Sequence, residues 1–176
     1  TARTKGFVPP QTEGVKRMAA LRGKAYWAKV HEAVPNRFDP EKIEYSINIG
    51  QLTEEDKVFL TGHNLGEKIK NDPKGTMGDY IQIKARNTKR VYNPETNEPD
   101  EHENSIVVVD ENREPVPSNV LIGNESEVIV SFKPIHYKRY DVWAAELLGV
   151  QVLNLNQYTA AVDPMADFEE AANFSA

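Results

Sequence analysis

Residues 80–86 alternate between apolar and polar side chains, and this alternation constrains the fold more than any other feature of the chain. In a β-strand, successive side chains point to opposite faces, so this segment would have one buried and one solvated face. The buried face would carry Ile81, Ile83 and Ala85, and the solvated face would carry Tyr80, Gln82, Lys84 and Arg86. An aromatic ring beside two cations is a combination that binds single-stranded nucleic acid.

Further strands are predicted over residues 24–30, 44–49, 105–110, 116–122, 127–132 and 142–155. In the first of these, Tyr26, Ala28 and Val30 form one face, and Ala25, Trp27 and Lys29 form the wetter one. Residues 106–109 are predicted to be buried throughout, and Tyr45 in the second strand is predicted to face the core. Strands and helices do not alternate along the chain, so the sequence predicts a mainly β, antiparallel, barrel-like domain.

One helix is predicted between the second and third strands. Thr53 and Asp56 have the spacing of a capping box, so the helix should begin there. Its core-facing stripe is predicted at Val58, Gly62, Leu65 and Ile69, and it should end at the sequence Asn71-Asp-Pro73.

Charge is distributed unevenly along this chain of 176 residues, whose net charge is −6. Nine acidic residues lie in two windows, 93–104 and 157–176, that contain no Lys or Arg, so the remaining chain has a net charge of about +3. Residues 93–104 are predicted to be a solvated loop. Cation binding by this loop is the weaker alternative, because it lacks the glycine and ligand register of a calcium loop.

Three parts follow from composition and charge: a basic N-terminal arm over residues 1–23, a barrel over 24–156 and an acidic tail over 157–176. The arm is predicted to be loosely docked, with a short helix around 15–21. No leader or long apolar run occurs, and no cysteine is present, so a soluble cytoplasmic protein without disulfides is expected.

The candidate DNA-binding residues are aromatic and cationic side chains interleaved on solvated strand faces and on one hairpin tip. They are Trp27, Lys29, Tyr80, Lys84, Arg86, Lys89, Arg90, Tyr92, Lys133, Tyr137, Lys138 and Arg139, with His136, Tyr140 and Trp143 in the same cluster. The alternative is that the rings are partly buried barrel residues and the cations are ordinary surface charges.

The tail contains a candidate set of partner-binding residues: Asp163, Asp167, Phe168, Glu169, Glu170 and Phe174. Such a segment could dock on basic partners and, in their absence, compete for the protein's own basic groove. A solubilising chain end is the alternative. The four histidines are scattered and no catalytic or phosphate-binding motif occurs, so we expect no enzyme activity, no metal and no cofactor.

Several segments resemble the single-stranded DNA-binding proteins of short-tailed bacteriophages in order and approximate spacing. They are Ala25-Tyr-Trp-Ala-Lys-Val30, Asn104-Ser-Ile-Val-Val-Val-Asp110, Val120-Leu-Ile-Gly123, Val128-Ile-Val-Ser-Phe-Lys-Pro-Ile-His-Tyr137 and Val150-Gln-Val-Leu-Asn-Leu155. The resemblance covers about half of the chain and is clearest from 104 to 155.

The resemblance implies an OB-fold-like barrel with one helix between strands 2 and 3, and no enzymatic activity. It also implies roles in phage DNA replication, recombination, repair and strand annealing in the host cytoplasm. Through the acidic tail it implies contacts with the phage polymerase and primase-helicase, and a homodimer. Tyr137, three positions after Pro134, matches the family's base-stacking position.

The end of the chain departs from the family pattern. The tail has only four acids and ends Phe174-Ser-Ala176, whereas the family's tail is longer, more acidic and ends on an aromatic residue. The expectation is therefore a shortened tail or weaker contact with partners. An alternative from another class is a phage structural or assembly module whose basic patch binds an acidic protein.

Overall fold

The computed structural model describes residues 18–158, which form a β-barrel. The five barrel strands are β1 (Ala19–Pro35), β2 (Ile43–Gly50), β4 (Gly78–Arg86), β9 (Ser126–Tyr137) and β10 (Val142–Asn154). The shorter strands are β3 (Lys70–Asp72), β5 (Thr88–Tyr92), β6 (Pro99–Glu103), β7 (Val107–Val109), β8 (Leu121–Ile122) and β11 (Gln157–Tyr158). One α-helix, α1 (Glu54–Gly62), and a 3₁₀ turn (Gly66–Lys68) lie between β2 and β3 in this part of the chain.

Parallel pairing between β4 and β10 closes the barrel. The order around it is β4, β2, β1, β9 and β10, with the other four neighbouring pairs antiparallel. This five-stranded closed topology is the OB-fold, and the helix between the second and third strands is where the sequence predicted it.

The barrel encloses a continuous aliphatic core. Ile47 and Ile49 of β2 pack with Ile81 and Ile83 of β4, and Phe132 of β9 is fully buried among them. The strand predicted over 80–86 is therefore confirmed, with its odd-numbered side chains inward. Tyr45 packs against this core, and its hydroxyl donates to the Asn104 carbonyl at 2.9 Å.

A bulge in β1 changes which side chains face the core. Ala25 was predicted to share the wetter face, but Ala25 and Tyr26 are both buried. The pairing with β2 shifts after Tyr26, and Trp27 has a positive φ of 53°. Two consecutive residues then point inward, so simple alternation fails at this point.

Helix α1 has the predicted N-terminus. The Thr53 hydroxyl accepts from the Asp56 amide at 3.1 Å, and the Asp56 carboxylate accepts from the Thr53 amide at 2.9 Å. The helix ends at Gly62, earlier than predicted, and its buried residue is Leu60, while Val58 of the predicted stripe is 72% exposed. Leu65 is buried and Ile69 packs against the core as predicted, but both lie beyond the helix.

Several element boundaries differ from the predictions. Strand β1 begins at Ala19, so the predicted helix around 15–21 does not include residues 19–21. Of the strand predicted over 116–122, only Leu121 and Ile122 are extended and paired. Val107, predicted to be buried, is 63% exposed, because β7 lies at an edge of the sheet and alternates.

The acidic segment 93–104 contains a hairpin strand as well as a loop. Its residues Pro99–Glu103 form β6, which pairs with the basic strand β5 so that Arg90 lies opposite Glu101. Acids expected in a separate loop therefore lie beside the cations of β5. Residues Gln157 and Tyr158, placed by sequence in the tail, form β11 and pair with β8.

Candidate nucleic-acid interface

A groove on the outer face of the barrel lies between β4 and the β9–β10 hairpin. We call it the cation–tyrosine groove and define it by the side chains that line it and carry chemistry: Lys42, Glu44, Lys84, Arg86, Lys89, Arg90, Tyr137, Tyr140 and Glu146. It consists of two adjoining hollows. Arg86, Tyr137 and Glu146 line both hollows, so they mark the centre of the groove.

Lysine and arginine side chains line one wall of the groove. Lys84 and Arg86 project from β4 because their neighbours Ile83 and Ala85 occupy the core-facing positions. Lys89 and Arg90 follow on β5 and line the second hollow. Four predicted cations are thus brought to one surface, as a phosphate-binding wall requires.

Tyr137 forms the opposite wall. Lys133, Ile135 and Tyr137 share the outer face of β9, because Phe132 and Pro134 between and beside them are buried. Tyr137 is 50% exposed, and it lines both hollows of the groove. An exposed ring across from cations can stack a base while the cations hold the backbone.

Register places three predicted lysines in one row across the barrel. Lys133 lies opposite Glu146, Glu146 beside Lys84, Lys84 opposite Ser46, and Ser46 opposite Lys29. Residues paired in this way point to the same face of the sheet. Lys29, Lys84 and Lys133 are therefore neighbours on the outer face, separated in each case by about two strand spacings or roughly 10 Å.

Lys84 is partly neutralised by a carboxylate. Its Nζ lies 3.7 Å from Oε2 of Glu44, whose other oxygen accepts from the Asn36 amide at 2.8 Å. The alternation of β2 predicts Glu44 on a solvated face, yet it is only 9% exposed. Lys84 and Asn36 supply the partners that a buried carboxylate needs.

The tip of the β9–β10 hairpin has two chemically different faces. Tyr140 is 69% exposed beside the groove, with the Arg139 guanidinium 5.5 Å from its ring centre, and Lys138 is exposed in the same turn. On the opposite face, the rings of His136 and Trp143 stack at 4.7 Å, and Trp143 packs against the core. Trp143 therefore lies on the back of the hairpin, away from the groove.

Trp27 and Lys29 lie outside the cation–tyrosine groove, on β1. The Trp27 side chain is 60% exposed, and its amide donates to Oδ1 of Asn124 at 2.9 Å, which holds the bulge in place. Lys29 lines a separate hollow with His31 and Leu121. A strand passing from the groove over Ser46 would reach both residues.

Tyr80 and Tyr92 also lie outside the groove. Tyr80 is half-buried near the start of β4, opposite Lys70 and about 20 Å along the strand from Arg86. Tyr92 is 64% exposed at the far end of β5. The tail residues Asp163, Asp167, Phe168, Glu169, Glu170 and Phe174 lie outside the described residues.

Sequence reasoning missed several groove residues. Glu146 could have been found, because Ala144, Glu146 and Leu148 alternate along β10 with the buried residues Ala145 and Leu147. Lys42 lies in a loop and has no such signal. In the same β1–β2 loop, Phe38 is 90% exposed with the Arg37 guanidinium 5.9 Å from its ring centre, but it does not line the groove.

Residues 18–158 contain neither a metal-ion cluster nor a membrane-spanning helix. This part of the chain contains no group of three or more His, Cys, Asp or Glu side chains able to hold a metal ion. Among the helical residues placed by the structure, none form a segment long and apolar enough to cross a membrane.

Comparison with known proteins agrees with this geometry at the level of the fold. No protein-family model and no curated protein sequence matches the chain. Among solved structures, gp2.5 of bacteriophage T7, a single-stranded DNA-binding protein, matches with a TM-score of 0.50 and 14% identity over 86% of this chain and 94% of that one. The single-stranded DNA-binding protein of bacteriophage Enc34, in complex with single-stranded DNA, matches with a TM-score of 0.51 and 15% identity over 87% and 97%.

The fold is that of the phage single-stranded DNA-binding proteins. A C-terminal truncation of the Enc34 protein gives a TM-score of 0.54 at 13% identity, covering 86% of this chain and 97% of that one. The resemblance predicted from short strand segments is therefore confirmed for the fold, and the OB-fold barrel extends over nearly all of the described residues.

Proposed function

We propose that this protein binds single-stranded DNA in the cation–tyrosine groove without recognising a defined sequence. The observation that carries the proposal is the position of Tyr137, a half-exposed ring across a groove from Lys84 and Arg86. Stacking on such a ring contributes roughly 1–3 kcal/mol per base and accepts any base. Each neutralised phosphate adds a counterion-release contribution with a salt slope of about 0.7.

Binding is proposed to continue beyond the groove. The row from Lys133 through Lys84 to Lys29 leads the strand across the barrel toward Trp27, and Lys138 and Arg139 supply charge at the hairpin tip. Lys89, Arg90 and Tyr92 on the β5–β6 hairpin supply the other side. Tyr80 is the weakest member of the set, because it is half-buried and distant from Arg86.

The proposed biological role is that of a phage protein acting in the host cytoplasm. Coating exposed strands would serve DNA replication, recombination, repair and annealing, without enzymatic activity or a cofactor. The acidic tail would recruit the phage polymerase and primase-helicase and support a homodimer. The likeness to phage single-stranded DNA-binding proteins and the excess of acid after residue 158 support this proposal.

Anisotropy of a labelled oligonucleotide of about 16 nucleotides, near the upper site size of one OB-fold, tests the proposal. We expect saturable binding that duplex DNA competes for poorly and that weakens steeply between about 50 and 200 mM salt. No binding to the oligonucleotide, together with binding to an acidic protein, would replace the proposal with the assembly-module alternative.

A further inference from the structure

The cation–tyrosine groove contains two carboxylates, which is unusual for a surface that binds a polyanion. Glu44 lies on the β2 side and Glu146 at the centre, where the two hollows meet. Both oxygens of Glu44 are occupied, one by Asn36 and one by Lys84. Glu44 therefore neutralises a cation and has little capacity left for a ligand.

Glu146 is different. Register places it between Lys84 and Lys133, yet within residues 18–158 its carboxylate forms no ion pair within 4.0 Å and no side-chain hydrogen bond. Its side chain is half-buried and lines both hollows of the groove. A carboxylate with free acceptor sites thus lies where a bound strand would pass.

An acceptor-only group at this position repels phosphate and attracts N–H donors. Phosphates would therefore remain on the flanking cations, while the edge of a base faces Glu146. Among the pyrimidines, cytosine presents an exocyclic amino group at position 4, and uracil and thymine present a carbonyl oxygen there. At that position the carbonyl would meet Glu146 as two acceptors with no shared proton, and the neighbouring N3–H of uracil or thymine would reach the carboxylate only between two carbonyl oxygens that repel it.

We infer that Glu146 reads the amino group of a base stacked near Tyr137, so that the groove prefers cytosine over uracil or thymine. This inference rests on the proposed function and adds a specificity-determining residue to it. The preference concerns one base position in the bound strand, so it is modest and does not define a sequence.

The experiment compares deoxycytidine and deoxyuridine homo-oligonucleotides of equal length at neutral pH, since these bases differ only in the donors and acceptors of one edge. The wild-type protein should bind the cytidine oligonucleotide about fivefold more tightly, as expected for one charge-assisted hydrogen bond in a half-exposed site. Glu146→Gln should bind both more tightly, because repulsion of the backbone is removed. In this variant, the ratio of the affinity for the cytidine oligonucleotide to that for the uridine oligonucleotide should fall to about one, because the amide can donate to uracil as well as accept from cytosine.

Glu111→Gln is the matched control, since Glu111 is exposed in the loop after β7 and outside the groove. It should retain the wild-type ratio. Equal binding of both oligonucleotides by the wild type, or an unchanged ratio in Glu146→Gln, would overturn the inference and leave the proposed function intact. Failure of the wild type to bind either oligonucleotide would overturn the proposed function as well.

Discussion

Lys84 on β4 and Glu44 on β2 form an ion pair across the two strands, with 3.7 Å between Nζ and Oε2. The lysine side chain is 46% exposed and the glutamate side chain 11% exposed. The pair therefore joins a buried negative charge to a positive charge on the surface that we propose binds DNA. Glu44 offsets part of the positive charge that Lys84 would present to phosphate. This ion pair predicts how a substitution of either residue changes DNA binding and stability.

Glu44→Gln should strengthen DNA binding. The glutamine can keep the hydrogen bond with Asn36, and Lys84 is released to contact phosphate. We expect about threefold tighter binding at low salt and a salt slope steeper by up to about 0.7, both measured by anisotropy. Weaker binding would show that Glu44 orients Lys84 for the ligand.

Lys84→Ala provides the matched comparison. Removing the lysine leaves the buried carboxylate without its counter-charge, so the free energy of unfolding should fall by roughly 1–2 kcal/mol, reduced by solvent at the exposed lysine. Chemical denaturation measures this loss. The double variant with Glu44→Gln should recover most of the stability.

The start of β4 should make stability depend on pH through Asp79. Its carboxylate accepts hydrogen bonds from Lys57 of α1 and, at 2.8 Å, from the side chain of Asn71. These bonds lower the pKa of Asp79 below 3.8, and the bond from Lys57 has the larger effect. The pKa of Lys57 is raised above 10.5 by its bonds to Asp79 and then Glu54. The stabilisation is thus present above pH 3.8 and below pH 10.5, and it is lost outside that window.

Asp79→Asn tests this window. At neutral pH the variant should melt about 2–4 °C below the wild type, and the difference should shrink as the pH falls below 3.8. Glu111→Gln, in the exposed loop after β7, is the control variant. A difference that persists at low pH would mean that the substituted side chain disturbs packing instead of charge.

The two tryptophans should respond differently to DNA. Trp27 is 60% exposed beyond the row of lysines, whereas Trp143 stacks on His136 on the back of the hairpin. Quenching by an oligonucleotide should therefore persist in Trp143→Phe and be largely lost in Trp27→Phe. The reverse pattern would place the DNA on the other face of the hairpin.

Truncation should begin after Tyr158, because Gln157 and Tyr158 pair with β8 as strand β11. We expect DNA binding to be unchanged or stronger in this variant, since removal of the four acids removes a competitor for the groove, while polymerase and primase-helicase binding is lost. Weaker DNA binding after this truncation would end the tail-competition hypothesis.

Local side-chain periodicity predicted individual strands and the start of the helix. The faces of β4, the capping box at Thr53 and the long strand from Val142 follow from side-chain spacing alone. The bulge at Trp27 could not be predicted, because it depends on the Asn124 side chain 97 residues away. The pairing of the acidic strand β6 with the basic strand β5 could not be predicted either, because residues 99–103 lack the apolar alternation that marks a strand.

Groove residues were predictable where alternation fixed a side chain's direction or where cations and aromatic residues cluster in the sequence. Alternation indicated Lys84 and Arg86, the resemblance indicated Tyr137, and clustering of cations and aromatic residues indicated Lys89, Arg90 and Tyr140. Glu44, Glu146 and Lys42 become part of the groove only when β2, β4 and β10 are brought together by barrel closure. Tyr80 and Trp143 were candidates because they are aromatic residues near cations in the sequence. The fold places both outside the groove.

Tyr137→Ala compared with Tyr137→Phe is the most direct test of the central claim. Both variants keep the pairing of residue 137 with Val142, but only phenylalanine keeps a ring facing the groove. In anisotropy titrations with a single-stranded oligonucleotide, Tyr137→Ala should bind about tenfold more weakly and Tyr137→Phe within about twofold of the wild type. Equal affinity of the alanine variant and the wild type would contradict the proposal that DNA occupies this groove.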